Sequence, residues 1–151
     1  MNLLVVIVNY KTAALTADCL ASLEPEIARV REQFGPAEVV VTDNASGDGS
    51  AEAIESTIAS RGYGDWARLM PLPRNGGFAY GNNGAIRPAL ESDDPPTHIL
   101  LLNPDTVVRD GAIVELLKFM QANDHVGITG SRLEDPDGTP QRSAFRFPGV
   151  M

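Results

Sequence analysis

The apolar positions of this 151-residue chain fall into short runs separated by polar and glycine-rich stretches. Leu3–Val8 is continuous and rich in β-branched residues, the pattern of a strand buried on both faces in a parallel sheet. Glu38–Thr42 (EVVVT) and His98–Leu102 (HILLL) read the same way. Ala67–Leu72 (ARLMPL) is weaker, because Pro71 suits an edge or a strand end. Between these runs the period lengthens. Thr12 is placed to cap a helix on which Leu15, Cys19 and Leu23 repeat, and Pro25 is expected to break or kink it. Ser50 is placed to cap a short helix with Ile54 and Ile58 inward. FAYGNNGAIRPAL (78–90) is helical by its connection, despite its glycines and Pro88. Gly111–Ala122 carries a stripe of Ile113, Leu116, Leu117 and Met120. Val126–Thr129 reads as a further short strand, and EDPDGTPQ (134–141) as turns.

Strands alternating with helices predict an α/β fold with a largely parallel sheet flanked by helices. In such sheets ligands bind outside the carboxyl ends of the strands. The polar clusters lie there: Asn9-Tyr10, Asp43-Asn44, Arg74-Asn75-Gly76-Gly77 and Asn103-Pro104-Asp105 each follow a strand.

Length and an apolar content of 43% suit one ordinary domain over residues 1–151. Twelve basic against twenty acidic residues leave a net charge of −8, which argues against non-specific nucleic-acid binding. Cys19 stands alone, so neither a disulfide framework nor a cysteine-rich zinc site is expected. The apolar run at the N-terminus has no basic residue before it and no cleavage-site pattern after it. It is read as a strand rather than a signal peptide, and a cytoplasmic location is expected.

The chemistry at the strand ends has plain and sharp readings. Asp43, in DNASGDGS, either turns the chain or accepts hydrogen bonds from a nucleotide base or ribose. The stretch matches neither the G-x-G-x-x-G fingerprint nor a P-loop. In RNGGFAYGNNGA, Gly81 and Gly84 each cost about 1 kcal/mol relative to alanine within a helix. Close approach of the backbone to a ligand would compensate. Arg74 either reaches a base or phosphate or is solvated. Asp105 is either a turn residue or a metal ligand, since Mg²⁺ and Mn²⁺ take as few as one protein carboxylate beside substrate phosphates. Asp93-Asp94 lies before a strand, at the wrong end of the sheet for that role. Glu134, Asp135 and Asp137 read as a turn. His98 and His125 lack metal-ligand spacing, and nothing suggests a nucleophilic triad.

Taken in order, VVIVNYKT, VVVTDNASGDGS, NGGFAYGNNGA and HILLLNPDT resemble glycosyltransferase family 2, of the GT-A nucleotide-sugar-binding fold. With RSAFRFP downstream they look most like its bacterial rhamnosyltransferase-like branch. The resemblance implies that Asn9 and Tyr10 line the base pocket and that Asp43 binds base or ribose. It places Asn75, Gly77 and Asn83 in the family's loop near the nucleotide, and Arg74 stands beside that loop. Asn103-Pro104-Asp105 would match the family's Asp-x-Asp motif, with Asp105 holding a divalent metal, Mg²⁺ or Mn²⁺. Asn103 departs from the usual first aspartate and would face a sugar hydroxyl, which is compatible with a dTDP-linked donor.

The activity so implied is inverting transfer of a sugar from a dTDP- or UDP-linked donor to a glycan or lipid-linked acceptor in polysaccharide biosynthesis. Peripheral attachment at the inner face of a membrane and the oligomeric state stay open. The family's catalytic base sits on an acidic motif beyond the region matching Arg142–Pro148, so a base is expected past Met151, and none of Glu134, Asp135 or Asp137 takes its place. Two alternatives stand beside this reading. One is a donor-binding module or fragment that transfers nothing, and the other is a sugar nucleotidyltransferase.

Overall fold

The structure, a computed structural model, describes residues 1–141. The RSAFRFP stretch (142–148) lies outside the described residues. The elements are β1 (Leu3–Asn9), α1 (Ala13–Gln33), β2 (Ala37–Asp43), α2 (Ser50–Arg61), β3 (Ala67–Pro71), α3 (Phe78–Leu90), β4 (His98–Leu102) and α4 (Ala112–Ala122), with a single 3-10 turn at Tyr63–Asp65. The strands form one sheet in the order β3-β2-β1-β4, and every pairing is parallel. The expected α/β architecture is therefore present. No described helix is long and apolar enough to cross a membrane.

Strand order fixes the layers. The chain steps from β1 to β2 to β3 in one direction, then returns across the sheet to β4. Right-handed crossovers put α1 and α2 on one face and α3 on the other. On the α3 face, Leu4, Val6 and Val40 meet Ala85, with Met70, Ile86 and Ala89 packed around them. Leu3–Val8 and Val39–Val41 are all buried, as continuous apolar runs require. β3 is an edge strand and ends at Pro71, where the missing N–H costs no ladder bond.

The chain divides into two compact units, Met1–Ile113 and Val114–Met151. The first holds the sheet with α1, α2 and α3. In the described part of the second, α4 continues to Ala122 and Glu134 bridges Pro140 across a tight turn. There Asp135 N–H donates to the Thr139 carbonyl (2.8 Å) and Gly138 N–H to Asp135 (2.8 Å).

Several local expectations need correction. α1 runs unbroken through Pro25, which lies on the exposed side, so water can satisfy the Ala21 carbonyl that proline leaves free. Leu15 is exposed, and the buried stripe is Thr16, Cys19, Leu20, Leu23, Glu26, Ile27 and Val30. Ser50 does not cap α2. It is the first helical residue, and Asp48 takes both its N–H (3.1 Å) and its hydroxyl (2.6 Å). The Ser50 hydroxyl holds the Asp48 carboxyl below its ordinary pKa. Val126–Thr129 is not a strand, and Ile128 is 92% exposed. Four residues with no neighbouring ladder cannot offset the entropy of extending them.

The glycines of α3 are compensated by close packing of the helix backbone against the side chains of Val8 and Leu72. A Cβ on Gly81 would sit 2.5 Å from Val8 Cγ1, and one on Gly84 would sit 3.0 Å from Leu72 Cδ2. Glycine lets α3 approach the end of β1. Gly81→Ala is expected to destabilise the protein by about 1–2 kcal/mol, the overpacking cost outweighing alanine's helix propensity. A higher urea midpoint for this variant would contradict so close a contact.

Candidate functional site

In a parallel sheet all carboxyl ends share one edge. Asn9 ends β1 opposite Asp43 of β2, which in turn lies opposite Pro71 of β3. Leu102 of β4 pairs with Ile7, so Asn103-Pro104-Asp105 leave the sheet beside Val8 and Asn9. The order of the sheet reverses between β1 and β4, the switch point at which such folds bind ligands.

A buried polar network occupies the centre of this edge. Asn9 is fully buried; its amide donates to Asp43 Oδ1 (2.7 Å) and Ser46 Oγ (3.2 Å). Asn9 Oδ1 accepts from the Thr12 N–H (3.3 Å) and from the hydroxyls of Thr12 (3.0 Å) and Thr16 (3.1 Å). Thr12 thus sits at the cap position of α1 with its hydroxyl engaged elsewhere. With both donors and its acceptor engaged, Asn9 orients Asp43 and does not offer its amide to a ligand. Ser46 completes the clasp, its hydroxyl donating to Asp43 Oδ1 (2.6 Å) and its N–H to Oδ2 (3.0 Å). The same hydroxyl accepts the Lys11 N–H (2.9 Å). Lys11 and Ala45 hold left-handed backbone (φ 59° and 55°), a strained state for residues with a Cβ. Strain of this kind collects where geometry serves function.

Asn44 builds the next wall. Buried at the end of β2, it donates to Asn75 Oδ1 (2.9 Å) and to the Gly77 carbonyl (3.1 Å), while its own Oδ1 accepts the Gly76 N–H (3.4 Å). Asn75 Oδ1 also accepts the Gly77 N–H (2.9 Å). Gly77 precedes α3 with φ 83° and ψ −179°, a conformation open to glycine alone. The first amides of α3 consequently face the same edge, a favourable place for an anion. Arg74 lies over the Tyr80 ring, 4.8 Å from its centroid, and the Lys11 ammonium is 5.3 Å from the centroid of exposed Tyr10. Asn83 is exposed on α3. Its neighbour Asn82 is buried and donates to the Phe78 carbonyl (3.0 Å), and its Oδ1 has no partner among the described residues.

Asn103 and Asp105 are exposed on a turn closed by the Thr106 N–H on the Asn103 carbonyl (3.2 Å). The Cys19 thiol lies 3.8 Å from that carbonyl. Burial, with a smaller contribution from the Asp105 carboxylate, pushes the thiol pKa up to about 12. The thiol stays protonated and is no nucleophile at neutral pH. Beyond the turn, α1 holds the chain: Val108 N–H donates to Ser22 Oγ (3.0 Å), Gly111 N–H to Glu26 Oε1 (2.7 Å) and Ile113 N–H to Glu26 Oε2 (3.0 Å). Arg29 pairs with Glu26 (2.7 Å) and with Asp110.

No cluster of three His, Cys, Asp or Glu side chains exists among the described residues. That rules against a protein-only cage there and leaves Asp105 as a single exposed carboxylate. Such a donor suits a hard cation that draws its other ligands from a diphosphate and water. Asp93 and Asp94 are exposed, and Asp94 accepts from Asn2 at the opposite edge of the sheet. A crevice of about 350 Å³ also lies at that edge, lined by Arg31, Trp66 and Arg68 among others. Its arginines are engaged with Ala37, Asp65 and Glu38.

Sequence reasoning placed Asn44 in a strand-end cluster without giving it a role, and missed Ser46, Asn82 and Glu26. For Glu26 a signal existed: a carboxylate in the apolar stripe, seven residues after Cys19 and three after Leu23.

The family model "Glycosyl transferase family 2" matches residues 4–147. N-acetylglucosaminyl-diphospho-decaprenol L-rhamnosyltransferases from two strains of Mycobacterium tuberculosis are 29% identical over 153 aligned residues, covering 97% of this chain and 46% of theirs. The crystal structure of Staphylococcus aureus TarS (1–349) superposes with a TM-score of 0.61 at 19% identity, over 82% of this chain and 33% of that one. The chain thus spans about half the length of the curated relatives it matches. With a match over nearly its whole length and a GT-A sheet beneath it, the chain belongs to glycosyl transferase family 2.

Proposed function

We propose that this chain binds a nucleoside diphosphate sugar, dTDP- or UDP-linked, with Mg²⁺ or Mn²⁺, and forms the donor half of an inverting transferase. The acceptor is a glycan or a lipid-linked glycan. The observation that carries the reading is the meeting of Asp43, the Asn75–Gly77 loop and Asp105 on one edge of the sheet.

Each residue has a defined task. Asp43 Oδ2 takes the Ser46 amide alone and keeps capacity for a donor from base or ribose. The exposed Tyr10 ring offers a stacking face, and the amides opening α3 receive diphosphate oxygens. Arg74 supplies a cation beside them, Asn83 lies on the exposed face of α3, and Asn103 presents an amide to a sugar hydroxyl. Asp105 would hold the cation, whose chemistry is to offset charge on the departing diphosphate. In the transfer, the acceptor oxygen bonds to the anomeric carbon as the bond to diphosphate breaks. The acceptor's proton passes to a carboxylate base outside the described residues. Asp137 is poorly suited to that task, because hydrogen bonding by the Thr139 N–H holds its carboxyl below the usual range.

Thermal denaturation tests the reading. UDP or dTDP with Mn²⁺ should raise the melting temperature by about 5 °C or more at saturating ligand. Asp105→Ala should keep the metal-free increment and lose the metal-dependent one. No shift with UDP, dTDP or GDP, with or without metal, would sink the proposal. A transfer assay on the same chain separates an active enzyme from a module that only binds the donor.

A further inference from the structure

One face of α1 carries Cys19, Ser22, Glu26 and Arg29, spaced i, i+3, i+7 and i+10, and all four engage the segment 103–113. The thiol lies against the Asn103 carbonyl at the start of the turn. Ser22 accepts the amide of Val108, three residues after Asp105. Glu26 accepts two amides where α4 begins, and Arg29 joins Glu26 to Asp110. Helical residues at these spacings share a face, so this is one rigid ridge and not four separate contacts. Asp105 itself is exposed on a turn closed by a single backbone bond. Its position is therefore set by what holds the chain on either side of it.

Glu26 is the strongest element of this ridge. Its carboxylate is fully buried, which is costly unless every lone pair is answered. The Gly111 and Ile113 amides and the Arg29 guanidinium answer it. The amides lie at the positive end of α4, where an anion is favoured. A buried charge on α1 thereby fixes where the post-strand segment can run.

We propose that Glu26, together with Ser22, is a positioning residue that holds the Asp105 turn in its metal-binding place while touching neither metal nor donor. This rests on the reading of Asp105 as the metal ligand. A plain helix cap would stabilise α4 and leave the turn unaffected. A positioning residue transmits its loss back to Thr106 and Asp105.

The test uses the full 151-residue chain with Ser22→Ala and Glu26→Gln, and Mn²⁺ with UDP or dTDP as probes. Amide hydrogen exchange without ligand should quicken at Val108, Gly111 and Ile113, and also at Thr106, whose N–H closes the turn. Mn²⁺ affinity in the presence of the nucleotide, read by paramagnetic resonance, should fall about tenfold, as loss of outer-shell support does elsewhere. Metal-free nucleotide affinity should be unchanged. Faster exchange confined to 108–113, with Mn²⁺ affinity intact, would overturn the proposal and leave Glu26 as a cap. Should Glu26→Gln fail to fold, Ser22→Ala carries the same readouts. If the unmodified chain shows no Mn²⁺-dependent nucleotide binding, the reading of Asp105 fails separately. Thr106 exchange then decides alone whether Glu26 holds the turn.

Discussion

Asp43→Ala should cost about 3 kcal/mol of stability and abolish nucleotide-dependent stabilisation together. Three donors converge on this carboxylate: the Asn9 amide, the Ser46 hydroxyl and the Ser46 N–H. The residue is 4% exposed, so no solvent stands ready to replace it. Each bond to a charged acceptor is worth about 1.5–3 kcal/mol, and the burial cost of the charge offsets part of the sum. Asp43→Asn keeps one acceptor oxygen but turns an NH₂ toward one of the donors, so an intermediate loss is expected. Urea titration measures the stability, and calorimetry with UDP or dTDP measures the binding. An alanine variant as stable as the parent would show that the network carries no weight.

Glu26→Ala is expected to cost about 3–5 kcal/mol, because the Gly111 and Ile113 amides lose their acceptor at a fully buried position. Glu26→Leu discriminates between causes. If burial of charge were the whole matter, leucine of similar bulk would be neutral or stabilising. The amides of Gly111 and Ile113 cannot be satisfied by leucine, so both variants should be destabilised. Arg29→Ala should cost much less than either Glu26 variant, because that side chain is 38% exposed and water can take its place. Equal losses for Arg29→Ala and Glu26→Leu would refute the amide-capping account.

What the sequence disclosed follows from where periodicity reaches. β1 and β2 were legible because burial on both faces writes an unbroken apolar run. β4 carries the same run although it is an edge strand with Ile99 and Leu101 exposed, which corrects the expectation that it is buried on both faces. α4 was legible from its stripe. Val126–Thr129 misled because a short stretch with β-branched Val126, Ile128 and Thr129 resembles a strand whether or not a ladder exists beside it. Pro25 misled because its effect depends on which side of α1 it faces, a matter of phase. Phase also separates Asn82, buried, from Asn83, exposed. The polar strand ends were visible as clusters, but their bonding was not. Asn44 to Asn75 and Glu26 to Ile113 join residues 31 and 87 apart, and a single hydrogen bond leaves no repeating signature along the chain. Asn9 shows the same limit, since its place at the end of the first strand put it at the site while only its five side-chain contacts reveal that they are all internal.

The separation of buried anchors from exposed residues has a consequence for how such a chain can change over generations. Asn9, Asn44 and Glu26 are committed to backbone and side chains of the fold, so substitution there is punished whatever the ligand. Tyr10, Asn83, Asn103 and Asp105 are exposed, and surface substitutions typically stay within about 0.5 kcal/mol. Under the proposed donor-binding reading, mutations at Tyr10, Asn83 and Asn103 that alter donor preference can therefore accumulate with little loss of folded protein. On that reading, a lineage built on this scaffold is free to explore new sugars before it needs any compensating repair.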